Sequence, residues 1–277
     1  MTTYPLVMNK FSEVVLSTVT EQDLQESKLD DAERSLLGCQ NCKGLEYCEN
    51  VSPGLAVSQL DSHFGLLATS YSHCRYELNR REQLRIDGLL QSSRIKKRFQ
   101  HRTLELFEIN EKNKKSFSAI SSYIKSFDIT TSAGIMLFGP VGTGKTHLAI
   151  AVLQELIKKG HAGAYVTVPE LLDEMRDSIN SEVKGSSAKL MQLVKTIPIL
   201  VLDDLGTEKA TDWVRERLYV IINARYEDMK STIITTNCGI EELQERIGER
   251  TVSRLWEMCK GVVLDGEDRR KKRLSKA

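Results

Sequence analysis

At 277 residues, with 40% apolar and 28% charged residues, the chain has room for one large domain and a smaller one, and is too apolar to be disordered throughout. No apolar stretch approaches the roughly 20 residues that cross a bilayer, and Met1 to Pro5 lacks the basic start and apolar core of a signal peptide. A cytoplasmic protein with no membrane partner is expected. The net charge of +1 hides an uneven distribution: residues 1–74 hold four Lys/Arg against ten Asp/Glu, residues 75–115 hold twelve against six, and residues 269–277 add six basic residues and no acid. Such asymmetry fits a protein partner at the acidic end and nucleic acid near the basic stretches, although a solvated helix face accounts for the charge of 75–115 equally well.

The first predicted element is helical. Leu24, Leu29, Leu36 and Leu37 recur at helical spacing between Glu21 and Leu37. Cys39, Cys42, Cys48 and Cys74 follow in the spacing C-x2-C-x5-C-x25-C, which suits a closed tetrahedral zinc site. His63 and His73 are alternatives to one of the sulfurs. With so little apolar side chain between Leu37 and Cys74, metal binding would supply the folding energy that burial does not. Cys238 and Cys259 are expected to be buried thiols. A helix rich in arginine, interrupted by Gly88, is expected over Tyr76 to Arg98 as a connection between modules.

Gly134 to Phe138 reads as a short buried strand and His147 to Lys159 as a helix. Between them Gly139, Pro140, Val141, Gly142, Thr143, Gly144, Lys145 and Thr146 complete the pattern GxxxxGK[ST], with His147 next. Strand, glycine loop and helix are the setting in which backbone N–H groups cradle phosphates. Lys145 would reach the β- and γ-phosphates of ATP, and the Thr146 hydroxyl would help to hold Mg2+. Strand and helix patterns then alternate, which predicts a parallel sheet covered on both faces. Ala164 to Val168 is one strand, and Pro198 to Asp204 is the next, an apolar run that delivers two acids to its end. Asp203 would bind Mg2+ and Asp204 would orient the attacking water. The β-branched run Ser231 to Thr236 ends at Asn237, whose amide would hydrogen-bond the γ-phosphate or the water, the role called sensor 1. Arg250 and Arg254 lie one helical turn apart and share a face, which in an assembly could present an arginine finger to a neighbouring nucleotide, or could simply make surface salt bridges.

Taken in order, Lys97-Arg98-Phe99, Gly139 to Thr146, Leu200 to Gly206, Thr235-Thr236-Asn237, Gly248-Glu249-Arg250 with Ser253-Arg254, and Leu264 to Arg270 resemble the bacterial replicative helicase loaders of the DnaI/DnaC type. These are a branch of the AAA+ ATPases related to the transposition ATPase IstB, and the likeness spans roughly residues 93–273. The resemblance implies a five-stranded sheet, ATP-dependent self-assembly and contact with single-stranded DNA. It also implies Asn237 as sensor 1, and Arg250 ahead of Arg254 as the finger. A cysteine-bearing N-terminal module that grips the hexameric replicative DNA helicase looks like the DnaI side of the family. Three departures stand out. Asp204 stands where many AAA+ proteins carry Glu, although related loaders share the Asp-Asp form; only thirteen residues follow Leu264; and the DNA-facing insertion from Pro169 to Thr196 offers Arg176, Lys184 and Lys189 but no aromatic.

The expected architecture is therefore α/β, an AAA+ P-loop NTPase core with a five-stranded parallel sheet, preceded by a small mainly helical zinc-binding domain. Its divisions are 1–78, a basic linker over 79–115, and the ATPase domain over 116–277. The expected activity is ATP hydrolysis coupled to helicase loading. An IstB-like transposition helper, a zinc-dependent adaptor with a vestigial ATPase and, less well supported, a small-molecule P-loop kinase are the other readings.

Overall fold

The computed structural model describes residues 13–18, 55–63, 66–73, 75–131, 133–180 and 186–269. The chain divides into two compact units, Met1–Arg85 and Ile86–Ala277. In the first, β1 (Glu13–Thr18) and β2 (Leu55–His63) both pair antiparallel with β3 (Leu66–His73), and a bulge interrupts the β2 register between Val57 and Gln59. A mainly helical unit was expected, yet its described residues before Cys74 are strands. Glu21 to Leu37, on which the helical expectation rested, and Cys39, Cys42, Cys48 and Cys74 lie outside the described residues. The arginine-rich helix is present as α1 (Arg75–Ser92), but it runs through Gly88 without interruption and ends at Ser92, short of the expected Arg98. Glu77 accepts from Arg80 Nε at 2.8 Å and Arg81 Nε at 2.6 Å, one turn along, and these bonds hold its carboxyl down to about 2.

The second unit is built on five strands, β4 (Gly134–Phe138), β5 (Gly163–Thr167), β6 (Ile199–Asp203), β7 (Ser231–Thr236) and β8 (Cys259–Val263). They lie in the order β5-β6-β7-β4-β8, and every pairing is parallel. The alternation along each strand splits the core in two. Ile135, Leu137, Tyr165, Val201 and Ile233 face one layer, and Met136, Val166, Leu200, Leu202 and Ile234 face the other. Helix α2 (Lys114–Lys125) and helix α3 (Lys145–Lys158) fill the first layer. Helix α3 packs on β5, β6 and β7 while α2 lies beside it against β8, and His147 and Gln154 on α3 bond to the Thr103 and Gln100 carbonyls. Helix α3 is therefore buried nearly all round, with Leu148 to Leu153 buried without interruption. Ile95 and Phe107, from the stretch expected to be a linker, are buried in the same layer.

The opposite layer holds α4 (Val168–Asn180), α5 (Ser186–Thr196), α6 (Asp212–Glu227), α7 (Ile240–Ile247) and α8 (Glu249–Met258). Helix α6 starts cleanly because the Thr211 hydroxyl accepts the Val214 N–H at 3.3 Å. Cys238 and Cys259 are buried free thiols, and burial pushes Cys259 up to about 12. Among the described residues no helix is long and apolar enough to cross a membrane.

Candidate nucleotide site

The glycine loop leaves β4 at Gly139 and enters α3 at Lys145. Two of its turns need positive φ, Gly142 at 81° and Gly144 at 101°, a region costly to any residue with a Cβ. Both positions are also crowded. A Cβ on Gly142 would fall 1.9 Å from Asp268 Oδ1, and one on Gly144 would fall 2.8 Å from Phe107 Cε2. The loop is thus flanked by two segments far from it in sequence. Arg269 seals this arrangement: its N–H donates to the Gly142 carbonyl at 3.1 Å, and its guanidinium lies 4.2 Å from the centre of the Phe107 ring and donates to the Glu108 carbonyl at 2.6 Å. His147 donates to the Thr103 carbonyl at 2.7 Å and stands edge-on to Phe107.

Within the loop, Thr143 bonds back to the Pro140 carbonyl at 3.0 Å. Lys145 Nζ donates to the carbonyls of Gly139 at 2.7 Å and Pro140 at 2.9 Å, and its side chain is buried. Val141 is exposed at the tip. At the head of α3, Thr146 Oγ1 donates to Asp203 Oδ1 at 3.0 Å. This contact crosses a strand, since β7 lies between β4 and β6. The intervening strand supplies Thr235, whose hydroxyl donates to the same Asp203 oxygen at 2.6 Å and accepts the Asp204 N–H at 2.9 Å. Tyr165 on β5 donates to the other oxygen, Oδ2, at 2.8 Å.

Asp203 is 2% exposed, and burial raises its carboxyl above the usual range while the Thr235 hydroxyl opposes the rise. Burial and the neighbouring Asp203 charge likewise push the Tyr165 hydroxyl up. Asp204 is exposed and has φ of 58°, an unusual backbone for a residue with a side chain. Its strand end is stitched to β7, the Leu205 N–H donating to the Thr235 carbonyl at 2.9 Å and the Thr236 hydroxyl to the Leu205 carbonyl at 2.7 Å. Asn237, the next residue of β7's chain end, is exposed.

The donors suit a nucleotide with Mg2+. A hydroxyl and a carboxylate in contact at a phosphate loop are the hard oxygen ligands that this cation takes alongside phosphates. Among the described residues no three His, Cys, Asp or Glu groups cluster as in an all-protein metal cage. The arginine pair separates: Arg250 is exposed on the first turn of α8, whereas Arg254 folds back over the rings of Tyr219 at 4.8 Å and Tyr226 at 5.7 Å. In the segment expected to face DNA, Arg176 lies over the Trp213 ring at 5.0 Å and Lys189 is exposed. Lys184 lies outside the described residues. Glu170, Asp173, Glu174 and Asp177 share one face of α4 and line a groove of about 340 Å3 with Arg94 and Lys96.

The motifs led directly to Lys145, Thr146, Asp203 and Asp204. No motif points to Tyr165, and neither Thr235, within Thr235-Thr236-Asn237, nor Asp268 and Arg269, within Leu264 to Arg270, has a role that the motifs assign; the seating of Phe107 against the loop has no sequence signal. The hydroxyl run in Ser231 to Thr236 was the available signal for Thr235; nothing local marks Tyr165.

A five-stranded parallel sheet with a phosphate loop on one strand and paired acids at the end of another is an AAA+ P-loop NTPase core. Residues 66–277 match the family of IstB-like ATP binding proteins, and the chain belongs to that family. It is 26% identical over 273 residues to the replicative helicase loader DnaI of Bacillus subtilis (strain 168), covering 93% of this chain and 86% of that protein. The replicative helicase loader DnaC of Escherichia coli (strain K12) is 27% identical over 140 residues, a match spanning 50% of this chain and 56% of DnaC. The crystal structure of the DnaC helicase loader is similar with a TM-score of 0.57 at 33% identity, covering 61% of this chain and 100% of that one.

Proposed function

We propose that this chain is an ATP-dependent loader that delivers a hexameric replicative DNA helicase onto single-stranded DNA. The observation that carries the reading is the likeness to DnaI, which runs over 93% of the chain and so takes in the first unit as well as the ATPase core. A likeness confined to the core would support nucleotide binding alone.

In this reading the loop N–H groups and the positive end of α3 hold the phosphates. Lys145 exchanges its two carbonyl acceptors for phosphate oxygens. Thr146 and Asp203 hold Mg2+, which when bound neutralises charge on the phosphates. Asp204 orients the attacking water, Asn237 reads the γ-phosphate from the end of β7, and Arg250 reaches the nucleotide of a neighbouring copy. Arg254, packed on its own tyrosines, is the weaker choice for that role. Ordering around the γ-phosphate favours self-assembly and DNA binding, and hydrolysis releases the helicase.

The test is a loading assay with the purified helicase of the same cell and circular single-stranded DNA. ATP and the wild-type chain should raise the amount of helicase on DNA. Arg250→Ala should bind ATP within about twofold of wild type yet fail to load, because the finger belongs to another subunit's pocket. Failure of the wild-type chain to bind the helicase, together with capture of a transposase instead, would favour the IstB-like transposition role.

The first unit is proposed to grip the helicase and to carry one zinc on Cys39, Cys42, Cys48 and Cys74, with residues 1–78, 79–115 and 116–277 as working divisions. Cys39→Ser is expected to lose the zinc and helicase binding while nucleotide binding persists, since the chain divides into two compact units and the nucleotide site lies in the second. Elemental analysis of protein purified without chelator checks the ligand set, and a zinc content near zero would remove it.

A further inference from the structure

We infer that Tyr165 is a positioning residue for the Mg2+ ligand Asp203, a part that no motif of the chain assigns to it. The inference rests on the nucleotide-site reading above. Asp203 has two carboxylate oxygens and three hydroxyl donors around it. Oδ1 takes Thr146 at 3.0 Å and Thr235 at 2.6 Å, whereas the hydrogen bond to Oδ2 recorded among the described residues is that of Tyr165 at 2.8 Å. When Thr146 turns toward a cation, its bond to Oδ1 is given up. Two donors then remain, one on each oxygen, and together they fix the plane of the carboxylate. Without Tyr165 the group would pivot about the Thr235 bond, and the oxygen offered to the cation would no longer be set.

The strand register explains how Tyr165 reaches. Thr167 pairs with Asp203 and Tyr165 with Val201, so Tyr165 is the diagonal neighbour of Asp203 on the same face of the sheet. At that spacing a long side chain is needed to make the contact. The ring itself cannot swing. Tyr165 is 2% exposed, packs on Phe99 with ring centres 6.1 Å apart, and donates its backbone N–H to the Ser93 carbonyl at 2.8 Å. The stretch following α1 therefore lies behind the ring and holds the hydroxyl at its acceptor. A phenylalanine would fill the same space; only a tyrosine adds the donor.

The experiment compares wild type with Tyr165→Phe in the full chain, using a fluorescent non-hydrolysable ATP analogue titrated in EDTA and then at increasing Mg2+. Because the ring remains, the variant should still fold, with a thermal midpoint lowered only by the loss of one buried hydrogen bond, and its affinity in EDTA should match wild type. The Mg2+ concentration that gives half of the gain in affinity should rise about tenfold, the loss expected when one hydrogen bond to a charged group is removed. An unchanged Mg2+ midpoint overturns the inference. Equal loss of affinity with and without Mg2+ also overturns it, since Tyr165 would then be supporting the fold. Should the wild-type chain itself show no Mg2+-dependent gain, the nucleotide-site reading falls, and this inference with it.

Discussion

Lys145→Ala is expected to lower ATP turnover by at least about a hundredfold, the scale seen when one preorganised donor to developing charge is removed. The side chain is buried against the loop it serves, bonded to the carbonyls of Gly139 and Pro140. Alanine therefore removes the ammonium from the phosphates without leaving a buried charge behind, and the fold should persist. Asp204→Asn is expected to behave differently. Asp204 is exposed, and its backbone, not its carboxylate, bonds to Thr235. The variant should retain ATP affinity and lose turnover. Equilibrium binding alongside steady-state phosphate release separates the two variants, and an Asp204→Asn protein that turns over at the wild-type rate would exclude that carboxylate from the chemistry.

Arg225→Ala is expected to cost more than about 3 kcal/mol of stability, a large part of the roughly 5–15 kcal/mol that holds a domain of this kind together. Arg225 is 0% exposed. Its guanidinium donates to Thr232 Oγ1 and to the Val194 and Ile197 carbonyls, each at 2.9 Å, to the Pro198 carbonyl at 3.4 Å and to the Ser231 carbonyl. One side chain on α6 thus closes the end of α5, the entry to β6 and the start of β7. Burial pulls its pKa down to about 9, which marks how far it has been removed from water. Truncation would orphan four carbonyls that no water outside the core can reach. Urea unfolding of Arg225→Ala gives the measurement. A change below about 1 kcal/mol would mean that the cluster relaxes and that the carbonyls find water after all.

Lys145 and Arg225 sit on opposite sides of what could be read from the chain. Lys145 was legible because a phosphate loop is local: its glycines, lysine and threonine act within one strand-to-helix turn, and that turn is written in consecutive residues. The same holds for the strands Gly134 to Phe138 and Ile199 to Asp203, whose apolar runs declare burial on both faces. Arg225 carried no such mark. In sequence it is one more cation on a helix, and its burial follows from three chain segments converging on it. β8 was missed for a related reason. Cys-Lys-Gly-Val-Val continues from α8 without a turn and pairs along one side only, so its strand character comes from the open edge of β4. In the first unit the leucine spacing of Glu21 to Leu37 points to helix, and that stretch lies outside the described residues, while the described residues of 55–73 pair as a hairpin against β1.

By itself the sequence determined the nucleotide loop, the acid pair and the alternating α/β order, since each depends on residues within a turn or a strand of one another. Only the tertiary structure decided that β7 lies between β4 and β6, and hence that Thr146, Thr235 and Tyr165 meet at one carboxylate. It also decided that Phe107 and Asp268 close on the loop glycines, and that of two arginines one helical turn apart Arg254 turns inward while Arg250 stays exposed. The physical reason is the same in each case. Strand order and helix seating minimise exposed apolar area over the whole unit, and hydrogen bonds between distant segments form where that packing leaves their partners, which no local pattern encodes.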